Sequence, residues 1–267
     1  MNASDPVLQK FAHYIYKCRM DGDLITDVDF EGAIKDKGDA YAVQNLLVDR
    51  IKAEGSIQHI GWKVGCTSKM AQKMSGTDEP FFGRIYKETS FKGSQQMQRK
   101  NFCSPIVEPE IAFRIGMDLL PDNIPFSDSD ILNSVDCIMP AIEIVDCRFE
   151  RGWPLSIFST IADNGVHGAF ISGGEIKDWK KLDRSKILVR LEADGEFVTD
   201  GVSSNALEDP LQSVLWLANN VVNYGEYIKK GDIISTGNIA NKAIYGFSAQ
   251  HFMVDFADLG CLNLTFS

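Results

Sequence analysis

The sequence predicts an α+β fold in which two N-terminal helices precede a sheet-rich core. Two observations carry this. Apolar residues recur at helical spacing over roughly the first fifty positions, whereas from Ser56 onward short extended runs alternate with Gly, Pro and Asp. No internal repeat, low-complexity tract or long linker interrupts the pattern, so one compact unit is expected, divided into a helical appendage over 1–55 and a core over 56–267.

The first helix is expected from Asp5 to Met20, with Val7, Leu8, Phe11, Ala12, Ile15 and Tyr16 on its apolar side and Pro6 in the first turn. A second should run from about Asp39 to Glu54, where Tyr41, Val43, Leu46, Leu47 and Ile51 form the stripe and Gly55 stands at the C-cap position. Strands are read in IQHIGWKVGC, SPIVEPEIAFRI, CIMPAIEIVD, KILVRLEADG, GDIISTG and the closing CLNLTFS. Helices interrupt them at about Ser68 to Ser75, Ser127 to Ser134 and Asp209 to Tyr224, the last with Asp209 as cap, Pro210 in the first turn and Gly225 at the end.

A formal net charge of −10 argues against nucleic-acid binding, because phosphate contacts need clustered Lys and Arg. An anionic substrate would need local positive charge against that background. The opening MNASDPVLQK has no basic stretch followed by an apolar one, and no long apolar run follows, so a cytoplasmic protein without membrane contact is expected. The 6 cysteines lack C-x-x-C spacing and signal neither a disulfide framework nor a zinc site.

The most informative string is Ile106-Val-Glu-Pro-Glu-Ile-Ala-Phe113. Side chains at i and i+2 of a strand share a face, so Glu108 and Glu110 project together, and a shared hard cation is the usual way to keep two adjacent carboxylates ionised. Pro109 biases Glu108 towards extended geometry and, lacking a ladder donor, suits an edge or a bulge. In CIMPAIEIV the only charged residue is Glu143, which is expected to be buried and therefore to need a metal or a basic partner. In HIGWKVGCT, Lys63 has only Gly61 and Gly65 at i±2, which leaves space beside it for a ligand. A lysine near a metal and inside a pocket can have a lowered pKa and exchange protons near neutral pH. The 4 histidines show no metalloprotease spacing and are read as structural or exposed, and the sequence shows no His/Glu pair to activate water for hydrolysis. No phosphate loop or G-x-S-x-G elbow occurs.

Taken in order, GWKVGCTS, GTDEPFFG, VEPEIAF, PAIEIVDCRF, TIADN and GDIISTG resemble the hydratase/decarboxylase branch of the fumarylacetoacetate hydrolase superfamily, in particular its 2-oxopent-4-enoate hydratases. The resemblance covers nearly the whole chain. It implies a mixed β-roll with flanking helices, with 56–267 as the catalytic core, and Glu108, Glu110 and Glu143 as ligands of Mg²⁺ or Mn²⁺. Lys63 would serve acid/base chemistry, and Asp163, Asn164 and Thr236 would line the substrate site. Three carboxylates and a divalent cation leave one negative charge, so Lys63, with Arg148 as second contributor, would receive the carboxylate of a small 2-oxo acid. The implied reaction is hydration of a 2-hydroxydienoate to a 4-hydroxy-2-oxo acid in a homo-oligomer. The alternatives are decarboxylation of a 2-oxo-3-enedioate and a non-catalytic metal- or ligand-binding relative. Departures from the branch are Phe81, where many relatives carry an acidic residue, Gly165-Val166-His167 after TIADN, and the stretch after Gly237.

Overall fold

The computed structural model describes residues 3–26, 32–55 and 57–267. Helix α1 (Pro6–Asp21) starts where Asp5 accepts a hydrogen bond from the Val7 amide and ends at Gly22, whose φ of 77° is the left-handed cap that glycine adopts without a Cβ penalty. Helix α2 (Lys37–Glu54) starts two residues before the expected Asp39, capped by Asp36, and Gly55 beyond it is extended rather than left-handed. Leu8, Phe11, Ala12 and Ile15 of α1 and Tyr41, Val43 and Leu47 of α2 join the same buried cluster as the strands. The expected boundary at Ser56 lies outside the described residues.

Among the described residues, twelve strands form two mixed sheets. They are β1 (His59–Gly65), β2 (Phe81–Tyr86), β3 (Ser90–Lys92), β4 (Gln95–Met97), β5 (Pro105–Ile115), β6 (Val135–Asp146), β7 (His167–Ser172), β8 (Leu188–Ala193), β9 (Glu196–Val202), β10 (Ile233–Ser235), β11 (His251–Asp255) and β12 (Cys261–Phe266). The seven-stranded sheet has the order β2-β1-β10-β5-β6-β7-β3, and the five-stranded sheet the order β4-β12-β11-β8-β9. The β8–β9 hairpin turns at Asp194-Gly195, both with positive φ, as a tight two-residue turn requires. Shorter helices α3 (Lys69–Ser75), α4 (Asp128–Ser134), α5 (Ile157–Ala162) and α6 (Pro210–Asn220) are each preceded by a capping Ser or Asp.

Contrary to the expectation for a proline-bearing strand, β5 is not an edge: it lies between β10 and β6. Two features make Pro109 tolerable. Strand β10 reaches only Ala112 to Arg114, and the Pro109 carbonyl accepts from the Ile239 amide at 2.9 Å. The nitrogen and carbonyl of an extended residue point the same way, so the missing donor faces the short side and not the β6 ladder.

Candidate active site

Strand pairing brings the acidic residues onto one face. Glu108 stands directly opposite Glu143 in the β5–β6 pair, and Glu110 follows at i+2. On the other side of β5, Ala112 pairs with Ser235 of β10, and Ser235 with Lys63 of β1, so Lys63 joins that face across two strands. Carboxylate oxygens of Glu108, Glu110 and Glu143 all lie within 4.8 Å of one another. Glu110 and Glu143 are fully buried and Glu108 partly so.

Each carboxylate is held differently. Glu110 Oε2 accepts from the Ser235 hydroxyl and, at 2.9 Å, from the Gly237 amide, whereas its Oε1 is buried with no hydrogen-bond partner. Glu143 is held on both oxygens: His167 Nδ1 is 2.9 Å from Oε1 and Lys63 Nζ is 3.1 Å from Oε2. The far ring nitrogen of His167 lies 3.2 Å from Thr89 Oγ1. Lys63 also donates to the Gly165 carbonyl at 3.0 Å.

Protonation follows from this arrangement. Burial pushes the Glu108 carboxyl up to about 7, offset in part by Lys63 and reinforced by Glu143. Burial, then Glu143 and Glu108, holds Glu110 well above the usual carboxylate range. Burial acts on Glu143 as well, but Lys63 and the His167 hydrogen bond outweigh it and keep its pKa low. Burial likewise lowers the His167 pKa against the pull of Glu143, and Nδ1 carries a proton because it faces a carboxylate that can only accept.

The lowering of the Lys63 pKa that a neighbouring metal can bring is absent from the chain without one. Burial opposes the ammonium, but the neighbouring Glu143, Glu108 and Glu110 raise its pKa, and it is the resident counter-charge of the triad. Nor is there open space beside it. A Cβ at Gly61 would sit 2.0 Å from the Ile233 carbonyl oxygen and one at Gly65 2.3 Å from Phe81 Cζ, because the Phe81 ring packs 5.3 Å from Lys63 Nζ.

The other expected site residues are placed as follows. Asp163 is buried and joined to Arg19 of α1, with Nε to Oδ1 at 2.5 Å and Nη2 to its carbonyl at 2.8 Å. The Asn164 amide is spent on the Arg84 backbone, accepting from its N–H at 2.8 Å and donating to its carbonyl at 2.9 Å. The Thr236 hydroxyl donates to the Ile111 carbonyl at 2.6 Å. Arg148 pairs with Asp146 at 2.9 Å and approaches Cys103 Sγ at 3.9 Å, which places its polar contacts away from the glutamates. His167, set aside in the sequence, stands on Glu143, so a His/Glu pair does exist. Its glutamate, however, belongs to the triad. The signal available was its position opening β7, where Val145 pairs with it two residues beyond Glu143.

Three converging carboxylates, two of them with a buried oxygen that accepts no hydrogen bond, form a hard-donor set suited to a divalent cation, on a face that also supplies an ammonium and an imidazole. Such a set on a mixed β-roll could hold a divalent metal ion. No family model matches the chain. It is 29% identical over 266 residues to 2-keto-4-pentenoate hydratase 1 of Dechloromonas aromatica, covering 100% of this chain and 99% of that one. It is also 31% identical over 228 residues to a 2-keto-4-pentenoate hydratase of Paraburkholderia phymatum, covering 85% of each. Among solved structures, 4-oxalocrotonate decarboxylase from Pseudomonas putida G7, complexed with magnesium and adipate, superposes with a TM-score of 0.88 at 27% identity over 97% of both chains. The chain belongs to the 2-keto-4-pentenoate hydratase family, hydro-lyases of the hydratase/decarboxylase branch of the fumarylacetoacetate hydrolase superfamily.

Proposed function

We propose that this chain hydrates a 2-hydroxydienoate of the 2-hydroxypenta-2,4-dienoate type, through its 2-oxo form, to a 4-hydroxy-2-oxo acid, in the catabolism of meta-cleaved aromatic rings. The observation that carries this is the convergence of Glu108, Glu110, Glu143 and Lys63 on one sheet face of a chain that aligns along its length with such hydratases. The oxygen-only donor set favours Mg²⁺, with Mn²⁺ as the alternative. When bound, the ion supplies Lewis acidity toward the substrate's carboxylate and 2-oxo oxygens.

Ketonisation carries the 2-hydroxyl proton to C5 and leaves a 3,4-double bond conjugated to the 2-oxo group. Water then places its hydroxyl on C4 and a proton on C3. Lys63, held between Glu143 and the Gly165 carbonyl, is the group we assign to hold and move these protons at Nζ. The same ammonium balances the substrate's carboxylate. Asn164 and Thr236, whose polar side-chain atoms serve the backbone, hold the walls of the site, and Asp163 anchors its turn to α1. We place the chain in the cytoplasm as a homo-oligomer. In support of the location, no helix among the described residues is long and apolar enough to cross a membrane.

The test is the ultraviolet absorbance of 2-hydroxypenta-2,4-dienoate with purified protein, with and without Mg²⁺ or Mn²⁺, and the mass of the product. Metal-dependent loss of the diene band with gain of one water supports the reading, and no turnover with either metal rejects that substrate. The magnesium–adipate complex of the structural neighbour, a dicarboxylate complex, favours decarboxylation of a 2-oxo-3-enedioate as the second reading, checked by CO₂ release. The Phe81 ring filling the space beside Lys63 favours the third, a non-catalytic metal-binding relative, which would bind Mg²⁺ and turn over neither substrate.

A further inference from the structure

We infer that His167 is a positioning residue, which holds the Glu143 carboxylate in place for the divalent cation through Nδ1 while Thr89 fixes the ring from behind. The inference rests on the metal-binding part of the reading above.

The geometry fixes the role of Nδ1, because it faces a carboxylate that can only accept. Glu143 accepts through Oε1 from His167 and forms an ion pair through Oε2 with Lys63, from two sides. The ring is almost fully buried, so it has no water to turn to. Its far nitrogen lies 3.2 Å from the Thr89 hydroxyl, which donates to the Tyr86 carbonyl at 3.3 Å, so a tethered hydroxyl braces the ring from behind. Strand β7 begins at His167, and a register shift in the β6–β7 pair between Ile144 and Val145 gives this position its reach to Glu143. Such bulges re-aim a side chain.

Without His167, Lys63 would be the one group left holding Glu143 among the described residues. The carboxylate would follow the ammonium, and the oxygen nearest Glu108 and Glu110 would lose its fixed direction. Partners of this kind behind a metal ligand fix its orientation, and their loss costs about 10- to 100-fold in metal affinity. His167 touches no reacting atom. Its effect passes through Glu143.

The test titrates Mg²⁺ alone into chelator-treated protein by calorimetry, and follows kcat and KM for 2-hydroxypenta-2,4-dienoate in parallel. His167→Phe keeps the ring volume and removes the donor, and is expected to weaken Mg²⁺ binding about 10- to 100-fold. His167→Asn places an amide N–H where Nδ1 stood and is expected to return the affinity to within about 3-fold of the native chain. Unchanged affinity in His167→Phe overturns the inference. So does His167→Asn binding as weakly as His167→Phe, since that result reports packing alone. If His167→Phe does not fold, Thr89→Val at a partly exposed position decides the matter. It frees the ring and should weaken Mg²⁺ several-fold, and native affinity in it overturns the inference. The titration needs no substrate, so a native chain that binds Mg²⁺ without turnover counts against the hydratase reading only.

Discussion

Lys63 Nζ lies 3.1 Å from Glu143 Oε2, with both side chains buried. Removing either partner would leave a buried charge uncompensated, at a cost of about 3–5 kcal/mol. One ammonium cannot neutralise three carboxylates, and the chain resolves the excess in two ways. Glu143 stays ionised beside Lys63 and His167, whereas the pKa values of Glu108 and Glu110 are raised by burial and by neighbouring carboxylates. A divalent cation changes that balance, because a ligating carboxylate must be deprotonated.

Metal binding should therefore release protons, and stabilisation by metal should grow with pH. The sign follows from the raised carboxyl pKa values: the folded chain binds more protons than the unfolded one between the ordinary glutamate value and about 7, so this contribution to stability is lost as pH rises through that window. Mg²⁺ recovers it by occupying the site. The increase in Tm on adding saturating Mg²⁺ should be larger at pH 8 than at pH 6. An increment equal at both values would show that Glu108 and Glu110 are already ionised.

Glu110→Gln should move two observables in opposite directions. The amide keeps an acceptor for the Ser235 hydroxyl and the Gly237 amide but removes the charge that neighbouring carboxylates oppose. The metal-free chain should gain about 1 kcal/mol at pH 8, while Mg²⁺ affinity falls at least about 10-fold. Chemical denaturation with and without Mg²⁺, together with calorimetry, reads both. A metal-free loss of stability would mean that the charge is already compensated.

The parts of the site legible in the sequence are those set by local periodicity. Glu108 and Glu110 share a face because they are two apart in a strand, and Glu143 is buried because the rest of the run from Cys137 to Val145 is apolar. What periodicity could not supply was strand order. The juxtaposition of Glu108 with Glu143, and of Lys63 with both through β10, depends on which strands pair, and His167 reaches Glu143 only through a register shift. The same limit explains Pro109: its preference for an edge is sound, but the brevity of β10 creates a local edge inside a sheet. The glycines beside Lys63 were misread for a related reason, since the absence of a side chain does not show what fills its place.

Those glycines give a steric prediction. Gly65→Ala would put a Cβ 2.3 Å from Phe81 Cζ, and that ring is itself confined by Lys63 and by Gly165, where an added Cβ would come within 3.0 Å of it. Overpacking of this kind costs about 1–3 kcal/mol. Gly65→Ala should lower Tm, and Phe81→Leu in the same chain should recover part of the loss by shortening the side chain. If the double variant is no more stable than Gly65→Ala alone, the ring is not the obstacle.

Arg19 provides a test of the link between α1 and the site. Its guanidinium binds Asp163 at both the carboxylate and the backbone carbonyl, and Asp163 begins the turn whose Gly165 carbonyl receives Lys63 and whose end is His167. Asn164, Gly165 and Val166 all have positive φ, a run that non-glycine residues adopt only when their surroundings hold them there. The Asp163 carboxylate is fully buried, with Oδ2 already unpartnered, so Arg19→Ala strands a charge rather than merely losing a contact. That should cost about 3–5 kcal/mol, whereas Arg19→Ala with Asp163→Asn should be distinctly more stable than Arg19→Ala alone, because no charge is left behind. Thermal denaturation of the native chain, both single variants and the double variant closes the cycle. If the two single losses simply add in the double variant, the pair is not coupled, and the turn at 163–167 is held by Asn164 and the β2 backbone instead.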